Sequence, residues 1–259
     1  MKLLVTGGAG FIGSNFITYW LTKYSQDSIV NLDLMTYCAN PLTVDQHIQQ
    51  FGERYEFVKG DIADEQLVRS LVENVDVIVH FAAESNVDRS VASPENFVRT
   101  NVLGTQVLLH AALQAGKKRF HHVSTDEVFG TLELDSSGKF TESTNYSPRS
   151  PYSASKAGSD HLVYSYFETY GLPVTITNCS NNYGPCHFPE KVIPLYITRA
   201  MNDKLIPIYG KGVAIRDYLF VEDHCKAIEL VLLQGRPGEK YCVGGDSERN
   251  TVQVARAVL

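Results

Sequence analysis

One junction near the start of the chain restricts its fold more than anything else. Lys2–Thr6 is a short apolar run of strand character, and Gly7-Gly8-Ala9-Gly10-Phe11-Ile12-Gly13 follows it and opens a helix-length segment, Phe11–Tyr24. In the spacing Gly7…Gly10…Gly13, Gly7 permits a tight turn and Gly10 lets backbone approach a bound group. Gly13 lets the helix pack close on the strand. The helix N-terminus then offers free N–H groups and a positive dipole end to a pyrophosphate. The same glycines would serve a plain strand-to-helix turn. Asp33 narrows the choice, because it ends the next candidate strand, Ile29–Asp33, 20 positions after Gly13. A carboxylate there hydrogen-bonds adenosine ribose hydroxyls and repels a 2′-phosphate, which favours NAD over NADP. An ordinary strand-end or capping carboxylate is the alternative.

The alternation continues beyond this unit. Tyr55–Lys59, Val75–His80, Arg119–Ser124 and Val174–Asn178 read as strands, several of them unbroken apolar runs suited to parallel strands covered on both faces. Asp64–Glu73, Pro94–Ala115 and Pro151–Tyr170 read as helices, with Gly116-Lys117-Lys118 as a C-terminal stop. The pattern predicts an α/β fold, a Rossmann-type doubly wound parallel sheet, over residues 1–178. Leu132–Ser150 reads as a polar loop. From residue 179, prolines and glycines punctuate short elements. Helices are expected at Glu190–Asn202 and Val221–Leu233, and strands near Pro207–Tyr209, Asp217–Phe220 and Tyr241–Val243. Residues 179–259 therefore read as a smaller mixed substrate-binding region, interleaved with the first domain.

Composition excludes other classes. The chain has 259 residues, 44% of them hydrophobic and 20% charged, enough for a sizeable core and unlike a disordered or coiled-coil chain. A net charge of −6 argues against nucleic acid or an anionic membrane held by bulk charge. No apolar run reaches the roughly 20 residues a membrane span needs, and no signal-peptide pattern precedes the first strand. The five cysteines are scattered with no CxxC pair, which suggests neither disulfides nor a metal site and agrees with a cytoplasmic setting. His80, His121 and His122 fall in strands and read as hydrogen-bonded core. Phe16, Trp20 and Tyr24 form a helical core stripe.

A second group of residues carries chemistry. Tyr152 and Lys156 stand at i and i+4 of a helix and share one face. An ammonium there stabilises the phenolate and makes the tyrosine a workable general base. Ser124-Thr125-Asp126-Glu127 ends a strand, where ligands of a parallel sheet bind. Thr125 can hydrogen-bond the same substrate hydroxyl as Tyr152. Asp126 and Glu127 supply two adjacent carboxyl groups, one an acid and one a base if their surroundings separate them. Asp61-Ile62 could hold an adenine, and Ala82-Ala83 let a cofactor lie against the chain.

With Gly7–Gly13, Asp33, Thr125, Tyr152 and Lys156 in place, the chain resembles the extended short-chain dehydrogenase/reductases. More specific strings are Phe81-Ala82-Ala83-Glu84-Ser85-Asn86-Val87-Asp88-Arg89-Ser90, Ser124–Gly130, Tyr152–Ala157, Asn181-Asn182-Tyr183-Gly184-Pro185, Pro189–Pro194, and Ile208-Tyr209-Gly210 with Arg216-Asp217. Together they are similar to the dTDP-glucose 4,6-dehydratase family along essentially the whole chain. The resemblance implies an NAD-dependent hydro-lyase acting on a dTDP-sugar, with Thr125, Asp126, Glu127, Tyr152 and Lys156 catalytic. It implies cofactor contacts at Gly7, Gly10, Phe11, Ile12, Gly13, Asp33, Thr36, Asp61, Ile62, Phe81, Ala82, Ala83, Ser85, Thr100, Tyr152, Lys156 and Asn182. Substrate contacts are implied at Ser85, Thr125, Asn181, Lys191, Val192, Pro207, Tyr209, Arg216 and Asn250, and no metal. It also implies a homodimer through the helices 94–115 and 151–170. Asn86, Phe129 and Leu34 stand where the family pattern leads one to expect histidine, tyrosine and lysine. The chain stops soon after Asn250 where relatives continue, so weakened sugar-nucleotide binding is expected. Two alternatives stay open: a UDP-sugar epimerase or decarboxylase of the same superfamily, and a catalytically silent NAD-binding module.

Overall fold

Alternate side chains of one parallel sheet face two separate helical layers, and the site lies along the sheet's carboxyl edge. The computed structural model describes residues 1–133, 138–208 and 210–259. In chain order the elements are β1 (Lys2–Thr6), α1 (Phe11–Lys23), β2 (Ser28–Asp33), α2 (Pro41–Phe51), β3 (Tyr55–Lys59), α3 (Glu65–Val72), β4 (Val77–His80) and α4 (Val87–Ala92). Then come α5 (Pro94–Phe97), a π-helical turn (Val98–Gly104), α6 (Thr105–Gln114), β5 (Arg119–Thr125), α7 (Pro151–Tyr170), β6 (Val174–Cys179) and β7 (Asn181–Tyr183). The chain closes with α8 (Val192–Met201), β8 (Ile215–Phe220), α9 (Val221–Gln234), β9 (Lys240–Val243), β10 (Glu248–Asn250) and α10 (Thr251–Val258).

The main sheet has the order β3-β2-β1-β4-β5-β6-β9, and all its pairs are parallel. Strand order reverses between β1 and β4, the switch point at which ligands of such sheets bind. The period-two alternation of a strand divides the core. Leu4, Val30, Ile78, Phe120 and Val174 pack against α3, α6 and α7 on one face. Leu3, Val5, Ile29, Val79 and Val123 pack against α1, α2 and α9 on the other. Trp20 is fully buried there, and its indole N–H donates to Asp27 at 2.9 Å. A smaller sheet, β10-β8-β7, carries α8 and α10, whose seam is Tyr196, Val254 and Ala255.

Several sequence expectations need correction. Residues 94–115 do not form one regular helix, because the π-helical turn interrupts them. Within this turn lies Asn101, a buried polar side chain whose hydrogen bonds face inward. The helices α2 and α4 were not anticipated. The buried face of α2 is Thr43, Val44, His47 and Phe51, half of it polar by residue type and so faint as a hydrophobic stripe. Pro207 and Ile208 carry no strand, and the rest of that expected strand, Tyr209, lies outside the described residues. The short strands β7 and β10 were also missed. The strand β9 joins the main sheet and α9 packs under it, so residues after 179 contribute to both layers. The three strand histidines are buried and hydrogen-bonded: His80 to Thr6 and Thr105, His121 to Thr175 and Thr177, and His122 to Ser159.

Candidate active site

A cavity of about 510 Å³ runs along the carboxyl edge from the glycine turn to the small sheet. Its first wall is the turn after β1. Gly7 has φ +74°, and a Cβ there would meet the Ala82 backbone nitrogen at 2.5 Å. The turn after β1 thus nestles against the segment after β4, which only glycine allows. A Cβ on Gly13 would meet the Gly7 carbonyl at 2.4 Å. The first turn of α1 has no side-chain cap and no acidic residue, so its N–H groups face the cavity as an anion site would require.

Asp33 lines the cavity and braces this turn. Its carboxylate accepts from the Ala9 N–H at 3.0 Å and the Met35 N–H at 2.7 Å. Burial pushes its carboxyl up, and these two bonds oppose the rise. Each carboxylate oxygen has a further lone pair, so the group still has acceptor capacity for a hydroxyl. Asp61 accepts from the Ala63 N–H and from Arg99 at 2.6 Å. Thr36, Ile62, Phe81, Ala82, Ala83, Ser85 and Thr100 line the same half. These uncapped donors, close-packed glycines and strand-end carboxylates fit a dinucleotide.

The reactive groups stand where β5 and α7 meet. Ser150 caps α7 through a reciprocal box with Ser153, and Pro151 takes the first helical position, which sets where Tyr152 and Lys156 point. Both side chains are buried, and both line the cavity. Thr125 lines the cavity with Tyr152, and its hydroxyl favours the Tyr152 phenolate. Burial, then the charge of Glu127, drives the Tyr152 phenol well above its ordinary value. Burial lowers Lys156, opposed by Asp160. The Lys156 ammonium donates to the Val123 carbonyl at 2.9 Å.

After Thr125 the chain enters a 3₁₀ turn, Asp126–Phe129, and Thr125 Oγ1 accepts from the Glu127 N–H at 3.3 Å. Burial and then the neighbouring Glu127 charge raise Asp126 to about 7. Burial also raises Glu127, but Arg216 on β8 and Lys191 before α8 draw it back. Two adjacent carboxyl groups thus differ: Asp126 retains a proton near neutral pH, and Glu127 is held toward ionisation by two cations.

The structure gathers Asn181, Asn182, Lys191, Val192 and Arg216 on the far wall. Asn182 bonds His224 at 2.9 Å. Pro207 stands apart from the cavity, and its carbonyl accepts from the Tyr196 hydroxyl. Asn250 is the N-cap of α10, its side chain accepting from the Gln253 N–H, while its neighbour Thr251 lines the cavity. Tyr209 lies outside the described residues. Sequence reasoning missed His187, whose ring stacks on Phe11 at 4.3 Å, and Tyr37, Phe188 and Glu190 beside it. Asn101 was missed too, and a buried asparagine in mid-helix was its one signal.

Comparison with known proteins agrees with this geometry. The family model described as GDP-mannose 4,6 dehydratase matches residues 4–258. A dTDP-glucose 4,6-dehydratase of Xanthomonas campestris pv. campestris (strain B100) is 52% identical over 98% of this chain and 74% of its own length. The crystal structure of DesIV, a dTDP-glucose 4,6-dehydratase from Streptomyces venezuelae with NAD and TYD bound, has a TM-score of 0.95. It is 47% identical and covers 100% of this chain and 80% of that one. The UDP-glucuronic acid 4-epimerase of Bacillus cereus, in complex with UDP-glucuronic acid and NAD, has a TM-score of 0.91 at 28% identity, covering 100% and 82%. Matched along nearly its whole length, the chain belongs to the GDP-mannose 4,6 dehydratase family, among relatives that are dTDP-glucose 4,6-dehydratases.

Proposed function

We propose that the protein is an NAD-dependent dTDP-glucose 4,6-dehydratase that converts dTDP-glucose to dTDP-4-keto-6-deoxyglucose. The observation that carries this reading is the divided carboxyl pair, Asp126 and Glu127, set beside Thr125, Tyr152 and Lys156 in one cavity. An epimerase needs a base for oxidation and reduction at C4; an elimination needs an acid and a base as well.

The turn Gly7–Gly13 and the α1 N-terminus would hold the NAD pyrophosphate, Asp33 the adenosine ribose, and Asp61 with Ile62 the adenine. The nicotinamide end would lie toward Tyr152 and Lys156. When bound, NAD supplies a hydride acceptor that gives the hydride back within the same turnover, so net redox change is zero. The chain's own groups handle the protons. Tyr152 takes the proton of the sugar 4-hydroxyl, steadied by Thr125. The 4-ketone acidifies the C5 hydrogen, and Glu127 removes it as a proton. Asp126 gives its proton to the departing 6-hydroxyl, which leaves as water. C6 receives a hydride while Glu127 returns its proton to C5, and the 4-keto-6-deoxy product results. Arg216 and Lys191 suit the substrate diphosphate as charge-assisted donors.

Two coarser features complete the reading. No helix among the described residues is long and apolar enough to cross a membrane, which is consistent with a cytoplasmic enzyme. Val98 and Leu103 on the π-helical turn and Tyr164 and Tyr170 on α7 are exposed, and these two helical stretches are the proposed homodimer face.

Mass analysis of the product formed from dTDP-glucose tests the function. Loss of one water from the sugar is expected. Inertness toward dTDP-glucose together with turnover of a UDP-sugar would favour the epimerase or decarboxylase alternative. Glu127→Gln should slow product formation roughly 10²–10⁴-fold while bound NAD is retained. An unchanged rate in that variant would remove Glu127 from the chemistry.

A further inference from the structure

We infer that Asp160 is a positioning residue for the catalytic lysine: its buried carboxylate, one turn along α7 and beside the same His122 ring, keeps the Lys156 ammonium charged. This rests on the reaction proposed above. Lys156 and Asp160 stand one turn apart on α7, and both are buried, at 3% and 1% exposed. His122 on β5 is fully buried between them. Its Nε2 lies 3.4 Å from the Lys156 ammonium, 3.2 Å from Asp160 Oδ1 and 3.2 Å from Ser159 Oγ. Asp160 Oδ2 accepts from the Tyr146 hydroxyl at 2.9 Å and from the Asn178 amide at 3.0 Å. The same Asn178 amide donates to the Thr125 carbonyl at 3.2 Å. The bonds of Asn178 therefore tie the Asp160 carboxylate to the strand end that carries Thr125.

A buried ammonium without an anion would give up its proton. Groups from every neighbouring element act on this one. From β4 and β5, His80 and His122 are driven down by burial first and are neutral at physiological pH, His122 at about 4. From β6, burial raises the Cys179 thiol to about 12, so it stays protonated. Tyr146 donates as a neutral phenol. Around Tyr152 the carboxyl groups are Glu127 and Asp126, and the ionised form of either disfavours its phenolate. Asp160 is the carboxylate that supports Lys156. Burial alone would raise the Asp160 carboxyl, but the neighbouring His122 and the charge of Lys156 hold it down as an anion.

The consequence is read in a pH profile. Without the Asp160 charge, Lys156 loses its proton at lower pH, and the Tyr152 phenolate becomes harder to form. The acidic limb of kcat/KM for dTDP-glucose then moves up and the basic limb moves down. The experiment measures these limbs on NAD-loaded protein, with bound NAD and melting temperature recorded for each variant. Asp160→Asn keeps the shape and should move the acidic limb up by about one pH unit, a roughly tenfold loss below it. Asp160→Glu should return the limb toward wild type. Tyr146→Phe removes a bond to the same carboxylate without changing its charge and should leave the limb in place. An unmoved limb in Asp160→Asn, or an equal movement in Tyr146→Phe, overturns the inference. If Asp160→Asn does not fold, Asp160→Ser removes the same charge with a smaller side chain and must move the limb in the same direction. A wild type inert toward dTDP-glucose counts against the proposed reaction instead, and the limbs are then taken on the UDP-sugar that it turns over.

Discussion

Asp126 and Glu127 are adjacent in the chain, yet β8 and the start of α8 give them different partners. Burial raises both and Arg216 opposes the rise at both, but Lys191 helps only Glu127, whereas at Asp126 the Glu127 charge adds to the rise. Asp126 therefore serves as an acid only while it keeps its proton, and the elimination step should decline as pH rises through about 7. The same shift bears on stability. A carboxyl raised in the folded state favours folding below its ordinary value near 4, and that contribution is lost as pH rises through the folded value. Asp126→Asn should therefore stabilise the protein by about 1–3 kcal/mol at pH 8 and by much less at pH 5. Melting temperatures at the two pH values check this, and equal shifts at both would refute it. The same variant should lose product formation by roughly 10²–10⁴-fold, because the 6-hydroxyl would leave without its acid.

The π-helical turn between α5 and α6 shows how an element can serve a site it does not line with charge. It turns Asn101 inward, where the side chain accepts from the Glu84 N–H at 2.9 Å and donates to the Glu84 carbonyl at 3.0 Å. The same amide donates to Ser155 Oγ at 2.8 Å, on α7 next to Lys156. One asparagine thus fixes the segment after β4 against the catalytic helix. Asn101→Ala should cost about 2–3 kcal/mol in urea unfolding, since it leaves buried Glu84 backbone groups unpaired. Asn101→Asp, which keeps the acceptor but sets a buried carboxylate oxygen against the Glu84 carbonyl, should lose at least as much. If the alanine variant unfolds like wild type, this bracing role is wrong. Elements and residues governed by local spacing were legible in the sequence. The glycine turn, Asp33, Tyr152 with Lys156, and Asp126 with Glu127 are each set by a few neighbouring positions on one strand end or helix face. The π-helical turn was not legible, because the hydrophobic stripe of 94–115 continues across it and only tertiary hydrogen bonds distort the ladder. The stacking of His187 on Phe11 was equally hidden, since 176 positions separate the two residues.

Across the whole molecule, one segment joins the cofactor half to the substrate half. Between β7 and α8 the chain crosses the mouth of the cavity, held by contacts to the first unit. Asn15 donates to the Pro185 carbonyl at 2.9 Å, His187 stacks on Phe11, and Phe188 meets Tyr37 edge-on. Glu190 accepts from the Asn86 amide at 2.7 Å, and Arg89, whose guanidinium lies over the Tyr37 ring, is 4.0 Å from the same carboxylate. Lys191 follows directly and faces the cavity. Asn86 stands where the family pattern led us to expect histidine, and it uses both ends of its amide. Its carbonyl caps α4 by accepting from the Arg89 N–H, and its NH₂ group reaches Glu190. Asn86→Asp separates these two duties. The cap survives, because aspartate caps as well as asparagine does. The bond to Glu190 is lost and replaced by two facing carboxylates, which should displace the Lys191 segment. With a loss of about 1–1.5 kcal/mol, KM for the sugar nucleotide should rise roughly five- to tenfold. The value of kcat should fall by less than KM rises, because Lys191 draws on Glu127 but Arg216 draws on it more strongly. Steady-state kinetics with a melting curve decide it: an unchanged KM, or a fall in kcat alone, would mean that the crossing segment is held without Asn86.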